Sequence, residues 1–143
     1  KRLRTTYNTK KENEMKTPLI PISWGELFNK ITILQIKIEK LQEKNALKNV
    51  IIEHDQLNRI YNSNFLGDEK SNRLLNDLKR INEKLWDIED KIRDKERSKK
   101  FDKEFLELAR NVYFTNDERS KIKRNINETF GSEIIEEKLY SKY

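Results

Sequence analysis

No cysteine occurs in the 143 residues, which excludes a disulfide framework, a thiolate metal site and a cysteine nucleophile. A reducing compartment, the cytoplasm, is the expected location. Glycine is nearly as scarce, and the scattered Gly25, Gly67 and Gly131 cannot build a phosphate-cradling loop. Both prolines, Pro18 and Pro21, precede the first helical pattern, so the 122 residues that follow hold none to interrupt a helix. No uncharged apolar run approaches the ~20 residues that a membrane helix needs. The start Lys1-Arg2-Leu3-Arg4 is not followed by the apolar core of a signal peptide. Neither a membrane span nor export is expected.

The chain has a net charge of +6, and most of it is local. Residues 1–16 hold six Lys/Arg against Glu12 and Glu14, whereas the remaining 127 residues carry 25 basic and 23 acidic side chains. The expected organisation is a basic, disordered extension over 1–16, with Met15 reading as a natural start, and one all-helical domain over 17–143. A domain of this size can bury about 68–70% of the surface its unfolded chain exposes, so it needs no metal or disulfide to fold.

Apolar spacing is helical throughout. Ser23 and Glu26 form a capping box. From there Trp24, Leu27, Ile31, Leu34, Ile38 and Leu41 follow 3-4-3-4-3 spacing, predicting a central first helix to about Lys44. A second helix, about Ala46–Asn62 with Asn45 as cap, carries Leu47, Val50, His54, Leu57 and Tyr61 and should pack antiparallel on the first. A third, about Glu69–Lys99, has a seam of Leu74, Leu78, Ile81, Leu85, Ile88 and Ile92. At 1.5 Å per residue it spans roughly 45 Å, long enough to suggest pairing with another chain. A fourth starts after Asp102. A fifth starts at a second capping box, Thr115 with Glu118, and ends at Gly131; a last one is capped by Ser132. The predicted class is all-α, an antiparallel bundle of five to six helices with a long central helix hairpin. Its heptads also suit a coiled coil and a homodimer.

Chemistry-bearing residues are sparse. His54, the one histidine, falls on the second seam, where a hydrogen-bonded core role outweighs a catalytic one, and it supports no Ser-His-Asp arrangement. Helical phase places Glu89 at the border of the third seam. A carboxylate there needs a partner, with Arg93 four residues on and Trp86 as cover. A sharper alternative adds Asp117 to Glu89 as ligands for Mg²⁺ in an all-oxygen site of a nucleotide or phosphate hydrolase. Arg110, Tyr113, Asn116, Arg119 and Lys123 supply anion-binding groups near by in sequence.

The segments Ile22–Leu34, Leu85–Arg93, Ala109–Asp117, Lys123–Asn127 and Gly131–Lys138 together resemble a family of short bacterial and phage proteins known as a domain of unknown function. The resemblance runs from about Ile22 to Tyr143, with Trp24 in place of a smaller residue. It implies an accessory role near glycosyltransferase and surface-polysaccharide systems. It also singles out Trp86, Asp87, Glu89, Asp90, Arg93, Arg110, Tyr113, Asn116, Asp117, Arg119 and Lys123 as its motif residues.

Three readings follow. The first is a non-catalytic helical binding or accessory module, self-associating or bound to a protein partner, with no cofactor and no metal. The second is the Mg²⁺-dependent hydrolase, or a binder of a nucleotide or phosphate compound, using Glu89 and Asp117. The third is weak nucleic-acid binding through the basic extension, ranked last because the folded body is nearly neutral. The sequence leaves open whether there is any catalysis.

Overall fold

A computed structural model describes residues 15–143, so the extension expected over residues 1–16 falls outside it apart from exposed Met15 and Lys16. Four helices follow one another: α1 (Trp24–Lys40), α2 (Lys44–Phe65), α3 (Glu69–Arg97) and α4 (Lys103–Thr129). No strand occurs among the described residues, and no described helix is long and apolar enough to cross a membrane.

Each helix starts on a side chain that accepts a free first-turn amide. Ser23 Oγ accepts from Glu26 N at 3.1 Å, and Asp102 Oδ1 from Phe105 N at 3.0 Å. Asp68 Oδ1 takes the amides of Lys70 and Ser71 at 2.9 and 3.2 Å. The α2 cap is Glu43 instead of the expected Asn45. Its two carboxylate oxygens accept from Asn45 N and Ala46 N at 2.9 and 2.6 Å, and these bonds hold its carboxyl below the usual range. A full negative charge at the positive end of the helix outcompetes a neutral amide.

The expected count of five to six helices is corrected to four among the described residues, for two physical reasons. The predicted break at Thr115 does not occur: Thr115 is 1% exposed in the middle of α4. Ending a helix there would strand backbone groups inside the core, and no glycine or proline forces it. The predicted last helix is also absent. Ser132 Oγ, its expected cap, accepts from Trp24 N at 3.2 Å and donates to the Ile134 carbonyl at 2.8 Å. Gly131, at φ +62°, does end α4, and the Ser132 amide reaches back to the Asn127 carbonyl at 2.7 Å to close a Schellman turn.

α1 lies at the centre, packed against each of the other three helices. Phe28 near its start meets Tyr61, Phe65 and Phe130 at ring-centroid distances of 5.3, 5.4 and 5.9 Å, so α2 returns antiparallel as expected. Leu27, Ile31, Leu74, Leu78 and Ile126 complete that core. α3 and α4 form a long antiparallel hairpin, with Lys95 bridging Asp102 and Glu104 at 2.9 Å each near its turn. The unbroken 27 residues of α4 give the 29-residue α3 a partner of matching length within the chain. The seam residues Leu74, Leu78 and Ile88 are accordingly buried inside the molecule and are not a surface open to a second copy.

Candidate functional site

A groove of about 500 Å³ runs along the side of the α3–α4 hairpin beside α1. Ile33 and Ile36 of α1, Leu85 and Trp86 of α3, and Val112 of α4 form its apolar wall; Asn82, Asn116 and Arg119 close one end. Glu89, Asp90 and Arg93 stand exposed along the α3 side. Positions 82, 86, 89 and 93 share one face of α3 because their 4-3-4 spacing tracks the helical repeat.

The closed end is built on an amide relay. Asn82 is 4% exposed, and its Nδ2 donates to Asn29 Oδ1 at 3.0 Å and Thr32 Oγ1 at 2.9 Å, both on α1. That fixes the amide orientation and leaves Oδ1 facing α4, where it accepts from Arg119 Nη1 at 3.2 Å. Arg119 Nη2 donates to Asn116 Oδ1 at 2.5 Å. The guanidinium thus rests on two neutral amides and forms no ion pair within the described residues. Burial pushes its pKa down, while the charges of Glu26, Glu136 and Tyr140 pull it the other way. Among the described residues two of its five N–H groups are used and three are uncommitted.

Of the residues singled out from the sequence, Trp86, Glu89, Asp90, Arg93, Asn116 and Arg119 line this one groove. The expected Glu89–Arg93 ion pair is not formed: both side chains are exposed on the groove edge, where water solvates each. Arg110, Tyr113 and Asp117 lie elsewhere on α4, with the C-terminal segment laid across them. The Tyr143 hydroxyl donates to the Asp117 carboxylate, and its ring sits 5.3 Å from Tyr113 and 5.2 Å from Phe114. Arg110 stacks 5.6 Å from the Phe114 centroid. Asp117 follows Asn116 by one residue and so points about 100° away from it. It is not among the groove residues, and Glu89 and Asp117 do not share that wall. The described residues contain no cluster of three or more acidic or histidine side chains that could hold a metal.

Lys123 has a third role. It is 9% exposed and donates to Glu26 Oε2 and Glu136 Oε2 at 2.8 Å each, tying α1 and the C-terminal segment to α4. That bond and a second from Lys138 bring the Glu136 carboxyl down from 4.5 to about 2. Beside it, the Gly25 amide donates to Asn127 Oδ1 at 2.7 Å, where the two helix backbones meet closely. His54 sits apart on α2, its Nε2 buried without a partner and its Nδ1 3.4 Å from Asp55 Oδ1.

Sequence reasoning found Asn116 but missed Asn82, the other amide bonded to Arg119, and Asn29 and Thr32, which orient Asn82. The sequence signal was slight: Asn82 falls four residues after Leu78, beside a seam that Ile81 and Leu85 already continue.

No curated protein and no solved structure matches the chain. A family model described as a family of unknown function, DUF6165, matches residues 18–143, which include all four helices, every groove residue and the C-terminal segment. The chain belongs to DUF6165.

Proposed function

We propose that this domain is a non-catalytic binding module whose groove between α1, α3 and α4 receives a small ligand through an oxyanion, a phosphate or carboxylate. The observation that carries the reading is Arg119: a half-buried guanidinium lining the groove, bonded to two neutral amides, with three N–H donors uncommitted among the described residues. Half-burying a cation with no carboxylate bonded to it costs stability that the more distant Glu26 and Glu136 offset only in part, and an arriving oxyanion would offset the rest through charge-assisted hydrogen bonds. The planar fork of arginine suits the two oxygens of one phosphate or carboxylate. The polar groups of the closed end are amides and a guanidinium, which orient an anion but neither give nor take a proton near neutral pH. That chemistry is binding chemistry.

The test is calorimetric titration of the protein with inorganic phosphate and with acetate, repeated on Arg119→Met. Binding of at least one oxyanion to the native protein is expected, lost tenfold or more in the variant, while its Tm falls by only a few degrees, because the buried Asn82 Oδ1 loses its donor as a poorly compensated charge leaves the interior. Undiminished binding by a folded Arg119→Met protein would sink the reading, as would no binding by the native one.

A further inference from the structure

The groove is longer than a phosphate needs. Along α3, Asn82 to Trp86 is about one turn, Asn82 to Glu89 about 10 Å, and Asn82 to Arg93 about 16 Å at the helical rise. The lining changes character in that order: guanidinium and amides, then the indole of Trp86 with Leu85, Ile33 and Val112, then the carboxylates of Glu89 and Asp90, with the Arg93 guanidinium beyond them. Neither carboxylate forms an ion pair within the described residues, and both are acceptors only at neutral pH. A ligand matched to the whole groove therefore has an oxyanion at one end. It has an apolar or planar body one turn away, and N–H or O–H donors beyond that. Inorganic phosphate satisfies the first requirement alone, and an aliphatic carboxylate adds nothing for the far end.

Resting on the oxyanion-binding reading, we propose that the groove is a nucleoside monophosphate site: phosphate on Arg119 and Asn116, base against Trp86, donors of the base or pentose on Glu89 and Asp90. A pentose joins phosphate and heterocycle at a separation of about one helical turn, the separation between the Arg119 end and Trp86. Tryptophan offers the largest π face for a base, and stacking of this kind tolerates any base. Carboxylates accept well from exocyclic amines and ribose hydroxyls. Arg93 stands beyond Glu89 and Asp90, whose charges oppose a phosphate there, whereas among the described residues no carboxylate bonds to Arg119, so the phosphate is assigned to the Arg119 end.

The experiment is a calorimetric series on the full chain with inorganic phosphate, ribose 5-phosphate, adenosine and adenosine monophosphate. Adenosine monophosphate is expected to bind at least tenfold more tightly than phosphate or ribose 5-phosphate. Trp86→Ala should bring its affinity down to that of phosphate without changing the affinity for phosphate itself, and Glu89→Gln should weaken the nucleotide alone. If phosphate binds through Arg119 and the nucleotide binds no more tightly, the nucleotide assignment is overturned and the oxyanion site stands. Equal affinity for ribose 5-phosphate and the nucleotide overturns the role of Trp86 as a base platform. If no phosphate compound binds in an Arg119-dependent manner, both readings fall together.

Discussion

Two cations one turn apart on α4, half-buried Arg119 and buried Lys123, are treated in opposite ways. Lys123 is given two carboxylates and becomes a structural tie; Arg119 is given two amides and keeps its charge for something else. Close to that tie, Gly25 lets α1 approach α4, because a Cβ there would stand 2.5 Å from the Lys123 carbonyl oxygen and 2.9 Å from Asn127 Oδ1. Gly25→Ala gains about 0.8–1.0 kcal/mol of helix propensity, yet the clash is with backbone and cannot rotate away. Urea titration should show a net loss on the order of 1–2 kcal/mol; an unchanged or higher midpoint would mean the helices part easily. His54 invites the reverse change. Its buried Nε2 has no acceptor or donor, so His54→Leu removes a desolvated polar atom and should leave stability level or raise it by up to about 1 kcal/mol, read from the same titration. A drop in stability would show that the ring packs or bonds better than its geometry indicates. At this scale helical phase brought Trp86, Glu89 and Arg93 to one side of α3, because a shared face is a property of spacing, whereas Asp90 came from the family resemblance. Of the amides bonded to Arg119, Asn116 was legible and Asn82 was not, since Asn29, Thr32 and Asn82 become a relay only when α1 and α3 are brought together.

Elements were legible where the sequence forces an outcome and illegible where it only permits one. Ser23, Asp68 and Asp102 begin helices because their side chains reach otherwise free amides, and Gly131 ends α4 because its φ is positive. Thr115 and Glu118 permit a helix start, but a neighbouring long helix rewards continuity and Thr115 is buried in it. The C-terminal segment Ser132–Tyr143 shows the same competition, since its Ile134, Ile135, Leu139 and Tyr140 stay exposed and ionic ties take the place of helical packing. Those ties depend on pH. Glu136 has a folded-state pKa lowered from 4.5 to about 2, so its contribution is complete above about 4.5 and is lost as pH falls toward 2. Amide resonances of residues 132–143 should move toward unstructured positions across that window while those of α3 and α4 hold. High salt at neutral pH should weaken the exposed Arg124–Glu137 pair first. Segment resonances that stay fixed down to pH 2 would show that Ser132 and Tyr143 hold it without the charges.

For the molecule as a whole, the arrangement around α1 decides which parts unfold together. Phe28 and Ile36 are fully buried, and α1 is the helix that joins α2 to the α3–α4 hairpin, so Phe28→Ala should cost about 3–5 kcal/mol and unfold everything in one transition. α2 is held differently. Tyr61 and Phe65 near its end are buried, but no residue from Lys44 to Ile60 is, and Ile51, Ile52 and Ile60 face solvent. A helix with so little burial opens locally at a free energy below the global value. Hydrogen exchange should find the α2 amides from Lys48 to Ile60 less protected than those of α1 and the hairpin. The groove takes all its lining from α1, α3 and α4, which separates this opening from binding. Leu57→Ala, which trims an α2 side chain packed on the core, should therefore speed exchange across α2 while leaving the affinity for phosphate within about twofold. If that variant, still folded, lost Arg119-dependent binding, the groove would have to be coupled to α2 through α1, and the relay from Asn29 and Thr32 to Asn82 would be the connection to examine by double-mutant cycle.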